Sequence, residues 1–594
     1  MCNGSIEGTG APRIIDNRGK RALPIGVENF DAVVRTGVYV DKTLLIRDLL
    51  DTVQGSTTLF CRPRRFGKSL AMRMLQCFFE APVEGAIPDR RNLFENLAIW
   101  DEGEYYRSEQ GAHPVIYLTL GGANGTSWNE VRGRVANAVA REYVRHRYLY
   151  DSNRLFANEQ SLFERLAVGQ ANDEELSRSL AWLSTVLHQY HGTETVILID
   201  EYDRPITEGY LGGFREEATR FMRSWLTDAL KGTVDLRLAC VTGVQRVSKE
   251  SIFSDLNNLV VDTPLSERHA ESFGFTEAEA EALARYMGLT SEKIAEMRDW
   301  YDGYCFGGIR VYNPISTLRY LQDRVAQPYW TNTSGNAVVT RLFQRADQAL
   351  NAQLQTLAQG GVVEAPLDMQ VVFGEIDSDS AATWSQLYLG GYLTTDDVQR
   401  PEDSRLTRRL RLPNYEVRDL FDREFLERAT RLATGTRLRD LHESLLEGNA
   451  ARMQEVLNAI LEESPSFRDL AYEALCHMLL MGMLYDVPGY QYPTSNRETG
   501  LGYSDILLEP TPENAERLPV IAIEVKRARN AAGKDISDQD SLTAHAREVA
   551  LGQAIAKRYG AGLHGNGVAR WGVSFSGKMV GVAREEPEAQ RADA

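Results

Sequence analysis

Gly67, Lys68 and Ser69 are adjacent residues whose chemistry suits a phosphate group. They follow a short apolar run, Thr58-Leu59-Phe60-Cys61, that reads as a buried strand. Helical spacing runs on from Leu70 to Phe79. Strand, turn, Gly-Lys-Ser and helix is the order a phosphate-binding loop requires. Backbone N–H groups at the start of such a helix point at a bound anion, and the helix dipole favours negative charge there. Lys68 would reach the terminal phosphates of a nucleoside triphosphate, and Ser69 would place its hydroxyl on Mg²⁺. The loop departs from the usual form: Arg62 stands where its first Gly is expected, and Pro63, Arg64 and Arg65 make it stiff and basic. A basic turn that merely contains Gly-Lys-Ser is the competing reading.

A second run supplies acids. Thr195-Val196-Ile197-Leu198-Ile199 is β-branched and apolar, and it ends in Asp200-Glu201-Tyr202-Asp203. Buried parallel strands have this composition. An Asp at the carboxyl end can hold Mg²⁺, which fits Asp200. The following Glu201 can orient or deprotonate an attacking water. A third strand, Leu236 to Val241, ends in Thr242-Gly243-Val244-Gln245-Arg246. In a parallel sheet Thr242 and Arg246 face the same crevice. There Thr242 would sense the terminal phosphate and Arg246 would neutralise charge; a strand cap explains either equally well.

The third set lies near the carboxyl terminus. Asp505 sits in Tyr503-Ser504-Asp505-Ile506-Leu507-Leu508, and Glu524 and Lys526 in Ile521-Ala522-Ile523-Glu524-Val525-Lys526. Strand period places Glu524 and Lys526 on one face, with Ile523 and Val525 turned to a core. If the Asp505 strand is adjacent, two carboxylates and an ammonium converge. Two carboxylates with water and a substrate phosphate satisfy Mg²⁺. Glu473, on an apolar helix from Leu470 to Leu484, is a further candidate ligand. The competing reading is an edge strand with a Glu–Lys pair on its wet face. His477, His545 and His564 lack paired metal-ligand spacing and read as structural or surface residues.

These centres need several domains to carry them. The chain has 594 residues, 43% hydrophobic and 25% charged, with net charge −17. That length implies two to four domains. The acidic balance excludes nonspecific coating of nucleic acid by the whole surface, so any such contact must use a local basic groove. No Cys-x-x-Cys pair, export signal or bilayer-length apolar run is present, so the expected setting is cytoplasmic, without membrane contact. Residues 1–20 read as a disordered tail, 21–265 as the loop-bearing domain, and 266–464 as a helical and mixed middle region. Residues 465–584 form a last domain and 585–594 a tail. Residues 127 to about 190 read as helices, and Gln386–Leu393, Arg409–Tyr415 and Gly489–Tyr492 as short strands. Tyr39-Val40-Asp41-Lys42-Thr43 stands where a base contact or a packing helix would fit. The aromatic words Trp300-Tyr301-Asp302-Gly303-Tyr304 and Tyr329-Trp330 could stack bases, although a packed turn accounts for them more simply.

Together these words resemble the bacterial AAA-ATPase-like family that carries a C-terminal nuclease domain of the PD-(D/E)XK superfamily. Arg62-Pro63-Arg64-Arg65-Phe66-Gly67-Lys68-Ser69, Leu198-Ile199-Asp200-Glu201-Tyr202-Asp203, Trp300 to Tyr304, Tyr312-Asn313-Pro314, Pro413-Asn414-Tyr415-Glu416-Val417 and Asp505…Glu524-Val525-Lys526 carry the likeness. The resemblance implies a doubly wound parallel P-loop sheet, a helical middle and an α/β restriction-endonuclease-like end. It implies ATP and Mg²⁺ as cofactors, held by Arg62, Arg64, Arg65, Phe66, Gly67, Lys68, Ser69 and Leu70 with Asp200, Thr242 and Arg246. The metal roles fall to Ser69, Asp200, Glu473, Asp505 and Glu524, and the catalytic roles to Glu201, Asp505, Glu524 and Lys526. Gln553 and Tyr559 match a helix word that often follows the nuclease core. Ser504 stands where the superfamily usually has Pro. Nucleic acid, DNA or RNA, is the implied partner, with a homo-oligomer as the possible assembly and defence against mobile elements as a setting by analogy. The alternative is a nucleotide-dependent assembly or signalling switch whose nuclease-like domain binds without cutting.

Overall fold

The computed structural model describes residues 12–231, 234–244, 253, 256–333, 339, 348–358, 360–367, 369, 380–397, 407–430, 435–463, 473–530 and 533–586. The chain divides into two compact units, Met1–Asn336 with Gly360–Arg418, and Ala337–Gln359 with Asp419–Ala594.

In the first unit five strands form one parallel sheet: β1 (Ser56–Cys61), β2 (Val115–Thr119), β3 (Thr195–Asp200), β4 (Leu236–Gly243) and β5 (Leu259–Asp262). Their spatial order is β2-β3-β4-β1-β5. Side chains alternate between two apolar layers. Leu59, Ile197, Ile199, Ala239 and Val241 enter one core, and Phe60, Val196, Leu198, Leu238 and Cys240 the other. Both faces are covered by helices, which is why these strands read as unbroken apolar runs. Helices Trp128–Arg145, Ser179–His191 and Arg215–Leu230 contribute to the first layer, and Phe30–Thr36, Leu44–Leu50 and Lys68–Phe79 to the second.

The aromatic words after residue 300 are packing. A Cβ on Gly303 (φ 130°) would lie 1.8 Å from the Pro413 carbonyl oxygen, so only glycine admits that approach. Asn414 Nδ2 donates to the Tyr301 carbonyl at 3.1 Å, and the Trp300 and Tyr415 rings meet at 4.7 Å. Asn313 caps helix Pro314–Asp323, accepting from the Ile315 N–H at 2.9 Å. Tyr301 and Tyr304 are fully buried, which removes them as base-stacking surfaces. Glu416 ties the cluster together. Its buried carboxylate accepts from Ser316 Oγ at 2.7 Å and from the backbone N–H groups of Trp330 and Thr331.

One expected strand is a helix: Gln386–Leu393 falls largely within helix Ser380–Gly390, whose Trp384 to Leu389 are all buried. A helix buried on every side shows no polar stripe, so periodicity cannot reveal it.

The second unit holds a mixed sheet in sequential order: β6 (Thr494–Thr499), β7 (Gly502–Leu508), β8 (Val520–Arg527), β9 (Val568–Ser576) and β10 (Met579–Arg584). β6, β7 and β8 run antiparallel, β9 is parallel to β8, and β10 is antiparallel to β9. Ile506, Leu508, Ile521, Ile523 and Val525 face a core shared with helices Gly435–Leu446, Ala450–Glu463 and Glu473–Met483. Helical turns from Gln539 to Ala556 cover the other face. The first strand begins at Thr494, after the expected Gly489–Tyr492 segment. Among the described residues no helix is long and apolar enough to cross a membrane.

Burial pushes the Glu416 carboxyl up from 4.5 to about 7, against hydrogen bonds that favour its charged form. The folded chain therefore keeps a proton that the unfolded chain has lost between pH 4.5 and about 7, and its stability falls as pH rises through that window. Glu416→Gln should remove this dependence. The melting temperature of the variant relative to the parent should rise from pH 5 to pH 8, by the equivalent of roughly 2–3 kcal/mol. A difference that stays flat across that range would refute the assignment.

Candidate functional site

The carboxyl ends of β1, β3 and β4 meet. β4 lies between β1 and β3, with Phe60 opposite Thr242 and Ile199 opposite Val241. This register brings Ser69, Asp200 and Thr242 into one hydrogen-bonded set. Ser69 Oγ donates to Asp200 Oδ2 at 2.6 Å, and Thr242 Oγ1 donates to Asp200 Oδ1. Asp200 is 2% exposed, and two hydroxyls meet its desolvation. The backbone N–H of Glu201 donates to Thr242 Oγ1 at 3.3 Å. Thr119 stands opposite Asp200 on the β2 side.

Gly67 (φ 87°) is the left-handed cap of helix Lys68–Phe79, and Arg65 (φ 67°) is also left-handed. These turns fold the loop back over the helix start. Lys68 Nζ donates to the Arg62 and Pro63 carbonyls, at 2.8 Å each. The ammonium thus spans the loop from within. Burial lowers its pKa, while Asp200, Asp203 and Glu201 pull the other way. Glu201 has φ 56°, a left-handed conformation uncommon for a residue with a side chain. Surrounding protein raises its carboxyl pKa, and the Asp200 charge adds to the rise. Asp203 Oδ2 accepts from the Val244 N–H at 2.9 Å and fixes the turn after β4.

Arg62 is placed differently from the expectation that it binds the cofactor. Its guanidinium is fully buried, paired with Asp262 Oδ1 at 2.6 Å and flanked by the Phe273 and Phe306 rings, 5.3 Å away in each case. Asp262 Oδ2 lies 2.7 Å from His269 Nδ1. Arg62 therefore braces the root of the loop, and its carbonyl rather than its side chain meets Lys68. Phe66 is likewise a packing residue, buried against Tyr304 and Phe306 at centroid distances of 5.0 and 5.1 Å. Arg64 and Arg65 are exposed, and the Arg64 carbonyl accepts from Trp330 Nε1 at 3.2 Å. Arg246 lies outside the described residues.

Beside the loop an apolar cavity of about 90 Å³ is lined by Val38, Tyr39, Val40, Gly67, Leu70, Met74 and Pro314. Sequence reasoning placed Tyr39 and Val40 here only as one of two readings and missed Met74 and Pro314. Met74 follows Leu70 by one helical turn, and that spacing was the available signal.

In the second unit the β7–β8 ladder runs from Leu508–Ile521 to Ile506–Ile523 and stops there. One residue further, Asp505 Oδ2 accepts the N–H of Val525 at 2.8 Å, replacing a backbone partner. Glu524 is 1% exposed; its Oε1 accepts from Lys526 Nζ at 2.7 Å and from Gln553 Nε2, whose nitrogen also lies 3.3 Å from the Tyr559 hydroxyl. Glu524 Oε2 is buried without a hydrogen-bond partner. Burial, and then the Asp505 charge, raise the Glu524 pKa well above the ordinary carboxylate range. Glycine 572, opposite Glu524 on β9, lets the helical backbone lie directly on the sheet: a Cβ there would be 2.3 Å from the Leu551 nitrogen. That segment, Ala546–Leu551, is a π-helical turn that leads to Gln553. His477 Nε2 lies 2.8 Å from the Asp505 carbonyl and braces the strand. The Glu473 side chain lies outside the described residues, which contain no group of three His, Cys, Asp or Glu side chains able to hold a metal.

A family model described as a predicted AAA-ATPase matches residues 24–253. An uncharacterised protein from the vnfD 5′ region of Azotobacter chroococcum mcd 1 is 30% identical over 411 residues, 67% of this chain and 69% of that protein. The chain belongs to the predicted AAA-ATPase-like family. The match to this AAA-ATPase-like model includes Lys68, Ser69, Asp200, Glu201 and Thr242, and it supports ATP binding. The second centre, at Asp505, Glu524 and Lys526, lies beyond the stretch the model matches.

Lys68→Ala should keep the fold and lose most nucleotide affinity, because Lys68 is the cation held inside the loop by its own carbonyls, whereas Arg64 and Arg65 are exposed. Titration with a fluorescent ATP analogue, beside a thermal melt, measures both. Unchanged affinity in a folded Lys68→Ala protein would remove the loop from the nucleotide site.

Proposed function

We propose that this chain binds and hydrolyses ATP at the loop site, and that its second unit carries a Mg²⁺-dependent nuclease centre acting on nucleic-acid phosphodiesters. The observation that carries the first part is the meeting of Lys68, Ser69, Asp200 and Thr242 at the carboxyl edge of one parallel sheet. Lys68 exchanges two carbonyl partners for phosphate oxygens. The Ser69 hydroxyl and Asp200 carboxylate are hard oxygen donors that fit Mg²⁺, which would neutralise charge on the transferring phosphate. Glu201 orients the attacking water and takes its proton. The largely apolar cavity beside Gly67 accepts the base by contact with Tyr39, Leu70 and Pro314, with Lys42 also on its lining.

Support for the second part is the opening of the β7–β8 ladder at the residues that bear the carboxylates, together with the orphaned Glu524 Oε2. A buried oxygen with no partner fits a hard cation, and Asp505 supplies the second ligand. Lys526 then orients the water or the phosphate. A second reading, a nucleotide-dependent switch that binds without cutting, is favoured by the pairing of Lys526 with Glu524.

Both readings are separated by incubating the protein with Mg²⁺, with and without ATP, on labelled single- and double-stranded DNA and RNA. Glu201→Gln should bind ATP and turn it over on the order of 10²-fold more slowly. Asp505→Ala and Glu524→Ala should each lose cleavage and keep ATP binding. No cleavage by the parent on any substrate, or full cleavage by Asp505→Ala, would discard the nuclease assignment and leave the switch.

A further inference from the structure

Glu201 is aimed by two features that sequence patterns do not display. Its own backbone is left-handed (φ 56°), held by the N–H bond to Thr242 Oγ1. Its carboxylate then lies over the turn that leaves the neighbouring strand. β2 ends at Thr119, opposite Asp200; the Leu120 N–H donates to the Asp200 carbonyl at 2.9 Å, and the Ala123 N–H closes the turn on the Leu120 carbonyl at 2.8 Å. Gly121 stands within that turn. A Cβ built on Gly121 would be 2.7 Å from Glu201 Oε2, 3.1 Å from its carboxyl carbon and 3.6 Å from Oε1, so its three nearest neighbours all belong to Glu201. The next residue, Gly122, has nothing within 4 Å of a Cβ. Neither glycine has a positive φ, so neither is required by backbone conformation.

We infer that Gly121 is a positioning residue for hydrolysis: its bare backbone is the seat on which the Glu201 carboxylate rests while it orients water. The inference rests on the ATPase reading above. Two adjacent parallel strands deliver the two parts of the seat. Glu201 directly follows the end of β3 and Gly121 lies two residues past the end of β2, so the pairing of Thr119 with Asp200 brings them together. A methyl group on Gly121 must displace the carboxylate by several tenths of an ångström, because ordinary contact begins near 3.4 Å. The displaced group is the end of a flexible side chain, so folding is spared while the aim of the base is lost.

The test compares Gly121→Ala, Gly122→Ala, Glu201→Gln and the Gly121→Ala/Glu201→Gln double variant in steady-state ATP hydrolysis and nucleotide titration. Gly121→Ala should lower kcat about 10- to 100-fold, since sub-ångström to ångström misplacement of a catalytic group costs that much. It should leave nucleotide affinity and melting temperature at the parent values. Gly122→Ala should match the parent in every respect. In the Glu201→Gln background the added Gly121→Ala should cost little more, because it acts only through Glu201. Parent-level kcat in Gly121→Ala, or a full further loss in the double variant, overturns the seat. A parent chain that binds Mg-ATP without turning it over overturns the ATPase reading together with it.

Discussion

A carboxylate removed from water needs partners, and Asp200 takes them from two other segments of the chain. One oxygen holds Ser69, at the start of the loop helix, and the other holds Thr242, at the end of β4. The three segments are far apart in sequence, so the bonds form only when the parallel strands pair in register. Because β4 separates β1 from β3, Thr242 reaches Asp200 directly and Ser69 reaches it across the crevice. The same carboxylate ties the start of the loop helix to the end of β4. Assembly of the fold and preparation of the site are therefore one electrostatic problem with one solution.

Arg62 shows how a departure from a motif is absorbed. A phosphate loop without its first glycine needs another way to turn. Here the guanidinium is driven inward, paired with Asp262 at the end of β5 and enclosed by Phe273 and Phe306. A buried Arg is tolerated only with such pairing, and loss of Asp262 would leave an uncompensated charge under the loop. The backbone of Arg62 still faces Lys68, so the loop keeps its carbonyl frame while its side chain serves the core.

Much of the sheet was legible because strands buried on both faces announce themselves as apolar runs ending in polar residues. Gly67, Lys68, Ser69, Asp200 and Thr242 were readable for that reason: each lies at the end of such a run. Direction of side chains was less legible. Arg62 and Phe66 sit within the most diagnostic word of the chain, yet they point into the core, and composition alone does not separate a basic ligand from a buried ion pair. Gln386–Leu393 reads as a strand, although most of it lies in helix Ser380–Gly390, because burial on all sides erases the helical period. The opening of β7 from β8 at Asp505 was invisible, since a side chain that replaces a backbone hydrogen-bond partner leaves no mark on residue pattern. Gly121 was equally silent, because a glycine required by a neighbour's carboxylate resembles any turn glycine.

The close approach of Gly303 to the Pro413 carbonyl, and the reach of Glu416 to Ser316 and Trp330, have a consequence for inheritance. The Trp330 indole bonds the Arg64 carbonyl in the loop, so the nucleotide-binding unit draws on residues up to Arg418. A gene truncated where the matched family stretch ends, at residue 253, would lose β5, with the Asp262 that pairs Arg62, as well as this support. Meanwhile Ala337–Gln359 belongs to the other unit, so the chain passes between the units three times. Shuffling by a single recombination joint cannot exchange one unit without breaking the other. Exchange of one unit alone therefore needs more than one joint in the gene.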